Sequence, residues 1–255
     1  MQRYLFLAYG IACYLLFLVT YAWMAGFVGG FLNRSIDGPA TAPPMIAAAV
    51  NVGLMLLFGL QHSVMARPGF KRVWTRVVPR PIERSTYVLL SCAVTALLLW
   101  QWRPMPAVAW HVSSPTGRAM MWALFATGWL MVPVVSLMIH HFDLFGVRQV
   151  WLHFQGRRYQ ALPFRTPYLY GRMRHPLYVG WAMAFWATPT MTAGHLLFAG
   201  TLTLYMVAAA IIEEKDLIDV YGRQYEEYRR RVPMFIPRLG RGKTGPAAQP
   251  GGMSA

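Results

Sequence analysis

Residues 119–141 read AMMWALFATGWLMVPVVSLMIHH, 23 residues with no Asp, Glu, Lys or Arg. Crossing the hydrocarbon core of a bilayer takes about 20 predominantly apolar residues in a helix, so this run reads as a span. It follows the loop Pro115-Thr116-Gly117-Arg118. Three comparable runs lie upstream: Tyr4–Leu32; Met45–Met65, stopped by Arg67-Pro68-Gly69; and Ser85–Trp102, stopped by Arg103-Pro104. Downstream, Pro176–Met191 and Leu196–Glu213 flank Thr192-Ala193-Gly194-His195 as a hairpin, full or re-entrant, whose arms are only just long enough to cross. The first run exceeds the roughly 7–15 apolar residues of a cleaved signal peptide and reads as a span. The expected fold is all-α: a polytopic transmembrane helix bundle of about six spans, the last two a hairpin, followed by a charged amphipathic helix at Arg223–Arg231.

Composition agrees. The chain of 255 residues is 56% hydrophobic and 13% charged, with mean hydropathy +0.36. Soluble domains carry roughly 25% charged residues, so a disordered chain and an ordinary soluble enzyme are both disfavoured. The net charge of +15 on so apolar a chain points to a bilayer surface before nucleic acid. Of the 24 basic residues, 21 fall at the N-terminus, between spans two and three, between spans four and five, or after span six, whereas Arg34, Arg103 and Arg118 fall on the other side. The positive-inside rule then places both termini in the cytoplasm. Tyr4, Trp100, Trp102 and Trp110 near span ends read as interfacial anchors. Cys13 and Cys92 lie in apolar runs and support neither a disulfide framework nor a thiolate metal site. Leu239–Ala255, rich in Gly, Pro and Ala, reads as a disordered tail.

Polar residues at span ends mark candidate chemistry, because ionisable groups at membrane depth need partners or water. Glu213 and Glu214 close span six. Arg174 and His175 precede Pro176, whose fixed φ suits a first helical turn; with the free amides of that turn they form an anion cradle, and Tyr178 adds an aromatic face. His140, His141 and Asp143 close span four, with Arg148 and Gln149 just beyond as candidates for substrate contact. If the helix continues, His140 and Asp143 share a face, and a carboxylate that orients an imidazole makes a general base. His62 ends span two and faces the same pocket or a backbone carbonyl. Metal binding by His140, Asp143 and His153 fits no established ligand spacing, and no metal is expected. At each of these places a solvated or satisfied polar helix end is the competing reading.

Two of these segments carry a resemblance. Arg174-His175-Pro176-Leu177-Tyr178-Val179-Gly180, then Glu213-Glu214-Lys215-Asp216-Leu217, Gly222-Arg223-Gln224-Tyr225-Glu226-Glu227-Tyr228, Val232-Pro233 and Pro237 resemble the isoprenylcysteine carboxyl methyltransferase and phospholipid methyltransferase group. Gln61–Pro68, Val78-Pro79, Glu83–Tyr87, His141–Trp151 and Phe185–His195 are similar to the bacterial methanethiol S-methyltransferases within it, and in part to a membrane family associated with denitrification. The resemblance implies S-adenosyl-L-methionine as methyl donor, a small volatile thiol as acceptor, dimethyl sulfide as product, and residence in the bacterial inner membrane with the active-site mouth cytoplasmic. It implies a cofactor side at Tyr170, Arg174, His175, Tyr178, Glu213, Glu214 and Tyr225, with the roles of the two glutamates open. The base is expected among His140, His141, Asp143 and His62. Residues 1–169 would form the acceptor-side bundle, 170–238 the methyltransferase core and 239–255 the tail. A phospholipid or isoprenylcysteine-type acceptor, or a non-catalytic membrane role, are the alternatives.

Overall fold

A computed structural model of the chain describes residues 1–237; the tail at 239–255 lies outside the described residues. In chain order the helices are α1 (Gln2–Val28), α2 (Pro44–Ala66), α3 (Pro68–Trp74), α4 (Arg80–Gln101), α5 (Pro115–Met138), α6 (His141–Leu144), α7 (Val147–Phe154), α8 (Pro176–Trp186), α9 (Ala193–Tyr221) and α10 (Arg223–Arg231). Two short strands, β1 (Val108–His111) and β2 (Thr190–Thr192), pair antiparallel. Proline stands in the first turn of α2, α3, α4, α5 and α8, where its missing N–H leaves no bond unmade. Ser114 and Thr192 cap α5 and α9 by accepting from the amides of Gly117 and His195.

Among the described residues, α1, α2, α4, α5 and α9 are long and apolar enough to cross a membrane. The protein is an all-α integral membrane bundle. The hairpin's first arm differs from the expectation of a full-length span. α8 has 11 residues, about 16 Å at 1.5 Å per residue, after which the chain runs extended through Ala187-Thr188-Pro189 into β2. Strand β1 joins α4 to α5, so its pairing with β2 carries the end of this arm to the side opposite the loops around α3, α6 and α7. Extended backbone at that depth is tolerated because it is buried in protein and bonded: Trp110 Nε1 donates to the Thr188 carbonyl and Thr188 Oγ1 to the Thr190 carbonyl.

α8 is seated on α5 by small residues. A Cβ on Gly128 would stand 2.5 Å from the Ala184 amide nitrogen and 2.8 Å from the Gly180 carbonyl oxygen, so the two backbones touch, as small-residue interfaces in membranes allow. The core joins Phe27, Phe125, Trp129, Phe185 and Phe198 in one cluster drawn from α1, α5, α8 and α9. Trp102 belongs to it. It is buried, with Nε1 donating to the Ile36 carbonyl, and is not the interfacial anchor its position suggested. Trp100 is exposed. Opposite the basic loops, buried His195 bonds Asp37 at 3.2 Å and the Phe185 carbonyl at 2.9 Å, which ties the α8–α9 turn to the α1–α2 loop.

Candidate active site

α5 ends at Met138, three residues before the apolar run does, and His140 takes a left-handed backbone (φ 85°). The expected continuous helix through Asp143 is therefore broken, and His140 and Asp143 do not pair as i,i+3 neighbours. Gly146, also left-handed at φ 85°, turns the chain into α7 with its α-carbon against Ser85; a Cβ there would meet the Ser85 amide at 2.7 Å.

The two imidazoles separate. His141 is buried, with Nδ1 2.7 Å from Ser136 Oγ and Nε2 2.8 Å from the Tyr14 hydroxyl. Ser136 donates its own proton to the Pro133 carbonyl, so it accepts from His141 Nδ1–H, and Nε2 accepts from Tyr14. Burial pushes the His141 pKa below the ordinary histidine value. Asp143 bonds no imidazole. Arg148 holds it at 2.8 Å and Tyr159 donates to its second oxygen at 3.3 Å. Burial, then the Asp143 charge, pushes the Tyr159 pKa up.

At the start of α8 the structure separates the two glutamates. Glu214 is buried and receives Arg174 Nε at 2.6 Å, Arg174 Nη2 at 3.2 Å and His175 Nε2 at 3.1 Å. Arg174 Nη1 also donates to the carbonyls of Arg229 and Val232, while the Arg174 and His175 amides donate to Pro233 and Met234. This knot closes the C-terminal segment over the α8 entrance. It also neutralises the anion cradle expected there, since the guanidinium already faces a carboxylate. Glu213 is half-exposed and accepts from the Tyr178 hydroxyl at 3.0 Å.

A cavity of about 660 Å³ gathers most of the candidates. His62, His140, Asp143, Tyr170, Arg174, His175, Tyr178, Glu213 and Tyr225 line it; His141, Glu214, Arg148 and Gln149 do not. Gln149 instead donates to the Asp143 carbonyl, so neither member of the expected substrate pair faces this space. His62 meets Tyr87 at 2.9 Å and Ser91 at 3.4 Å, both on the cavity wall. The deep end is closed by buried Val88, Cys92 and Val132. The mouth, near α6 and the 159–166 loop, carries Glu213, Asp143 and Arg84. Sequence reasoning missed Arg84, Tyr87 and Tyr159. Arg84 read as a topology charge, and Tyr159 lies in a loop without periodicity. The Glu83–Tyr87 match was the one available signal.

No family model and no solved structure matches the chain. It is 52% identical to the methanethiol S-methyltransferase of Mycobacterium tuberculosis, over 93% of this chain and 98% of that protein. It is 47% identical to that of Crocosphaera subtropica, over 94% and 95%. A more distant relative, human Nurim, is 31% identical over 75% of this chain and 73% of its own length. The similarity therefore runs through the α1–α7 region as well as the α8–α10 motifs, and at close to half of all positions over nearly the full length the chain belongs to the methanethiol S-methyltransferase family.

Proposed function

We propose that this protein moves a methyl group from S-adenosyl-L-methionine to methanethiol, giving dimethyl sulfide. The observation that carries this reading is a cavity that joins a charged mouth to an apolar end in one continuous space. Its volume of about 660 Å³ is within the roughly 300–1,000 Å³ of pockets that enclose a drug-sized molecule. The relatives' names supply the acceptor.

The residues fit such a cofactor. Glu213, positioned by Tyr178, offers a carboxylate to an ammonium or to ribose hydroxyls. Arg84 has no carboxylate partner among the described residues and suits a carboxylate. Tyr178 and Trp181 present aromatic faces on which a cation is stabilised. When bound, the cofactor supplies a methyl group on a sulfonium. Glu214, Arg174 and His175 hold the α8 entrance in place around it. In this reading residues 170–238 form the cofactor side and 1–169 the acceptor side.

The acceptor must react as thiolate, and since even a Cys thiol, more acidic than a simple alkanethiol, has a pKa of about 8.5, methanethiol is mostly protonated at neutral pH. His140 is assigned as the base: it faces the cavity and no protein hydrogen bond occupies its ring among the described residues. His141 holds the turn that presents it. His62 lies further along the wall and is assigned to orienting Tyr87 towards the acceptor. Val88, Cys92 and Val132 exclude water, which favours a reaction that neutralises opposite charges. A small apolar thiol reaches this end through the bilayer, while the polar cofactor enters from the basic end, the cytoplasmic face of a bacterial inner membrane.

The test is headspace analysis of membranes given methyl-labelled cofactor and methanethiol. Volatile labelled dimethyl sulfide is expected, falling about 10²–10⁴-fold in His140→Ala, the usual worth of a general base. Label that appears in lipid and not in the headspace would overturn the acceptor.

A further inference from the structure

A second cavity, about 780 Å³, opens at the basic end beside the first. It draws Arg3 from α1, Lys71 and Arg72 from α3, Arg80 from α4, and Arg157 and Arg158 from the loop after α7. Arg84 completes the set and lines both cavities, as do Asp143 and Tyr159. Among the described residues none of these seven cations forms an ion pair. The carboxylates in the wall are Glu83 and Asp143, and Asp143 is already held by Arg148. The chain beyond residue 237 contains no Asp or Glu. Burial, then Arg84, pushes the Lys71 pKa down, so its ammonium is held where the positive charge is disfavoured.

Basic loops that merely set topology have no need to converge. Spread over a surface they would repel little, because charges further apart than about 10 Å are screened at 0.1 M salt. Here four separate segments turn their cations into one concavity, which is unfavourable unless an anion compensates. Arginine forks suit phosphate oxygens, and a cleft lined by one sign of charge focuses the field.

We propose that this cavity is a binding site for a phosphate-bearing anion, with the phosphodiester of an anionic phospholipid headgroup as the source favoured by its place at the membrane edge. Arg84, Asp143 and Tyr159 form the wall between this ligand and the catalytic cavity.

The test uses the full chain in phosphatidylcholine bilayers doped with spin-labelled phosphatidylglycerol or spin-labelled phosphatidylcholine. The immobilised fraction is read for wild type and for the variant Arg72→Gln/Arg157→Gln/Arg158→Gln, none of whose positions lines the catalytic cavity. Wild type is expected to hold the anionic lipid at least tenfold more tightly than phosphatidylcholine, with that preference lost in the triple variant and kept when the three are Lys. Calorimetry with inorganic pyrophosphate in bilayers of phosphatidylcholine alone then separates the sources: no binding beside a clear phosphatidylglycerol preference assigns the headgroup, and pyrophosphate binding without that preference assigns a soluble phosphate. A triple variant that folds and retains the wild-type preference, or a wild type that discriminates between neither lipid and binds no pyrophosphate in calorimetry, would overturn the site. Methyl transfer is not the readout, so failure here is distinct from failure of the assigned reaction.

Discussion

At the residue scale, neighbouring side chains of one type have been given different work by their partners. Glu214 balances Arg174 and His175 in a buried knot, whereas Glu213 faces the cavity. Breaking a buried ion pair by removing one charge costs about 3–5 kcal/mol. Glu214→Gln is therefore expected to unfold at markedly lower temperature in detergent, while Glu213→Gln keeps the wild-type Tm and loses cofactor affinity in calorimetry. Equal Tm values for the two variants would reject the division. For Asp143, the Arg148 and Tyr159 contacts predict that Asp143→Asn loosens the 159–166 loop and leaves the pH profile of turnover in place; a profile shifted on its acid limb would restore the imidazole pairing. His141 carries a pH signature of its own. Its folded pKa is lowered by burial, and unfolded histidine titrates near pH 6.5. Its contribution to stability is present above about pH 6.5 and is lost as pH falls towards the folded value. Thermal unfolding between pH 8 and 5 should show this decline, flattened in His141→Asn.

At the element scale, α8 is the piece on which both halves of the site depend. Its N-terminus holds His175 and Tyr178, and its depth is set by backbone contact with α5 at Gly128 and Gly180. A methyl group at Gly128 has backbone, not a flexible side chain, to displace. Gly128→Ala is expected to cost about 1–3 kcal/mol by overpacking and to raise KM for the cofactor, because α8 moves with its first turn. Substitution at Gly53, inside α2, meets nothing within 4 Å and serves as the control: Gly53→Ala should leave KM unchanged and keep or raise Tm, since Ala suits a helix interior better than Gly. A wild-type KM in a folded Gly128→Ala would show that the α8 entrance is positioned by the Glu214 knot alone.

At the scale of the whole molecule, the basic loops meet at one end of the bundle and the β1–β2 pair closes the other. The arrangement predicts six crossings, one of them made by α8 and the extended segment after it. Single cysteines at Arg76 and Arg103, which flank α4, test its crossing and direction with a membrane-impermeant thiol reagent, since Cys13 and Cys92 are buried. Arg103→Cys is expected to label in intact cells and Arg76→Cys only after permeabilisation. Labelling of both from the same side would mean that α4 does not cross.

The sequence by itself determined that the chain lives in a membrane and where its long helices lie, because span length is a local, additive property written residue by residue; loop charge sets the orientation expected of them. It also placed Arg174, His175, Tyr178, Glu213 and Tyr225 in the motifs that resemble the methyltransferase group, the residues proposed above for the cofactor side. It did not reveal that α8 stops after 11 residues, since an apolar run says nothing of whether its backbone bonds are made within a helix or to a strand 80 residues away. Nor did it separate His140 from His141 or Glu213 from Glu214. Adjacent residues on a helix or turn share composition and depth, and only the partners brought in by other segments decide which is consumed in packing and which is left facing the cavity: Tyr14 and Ser136 for His141, Arg174 for Glu214.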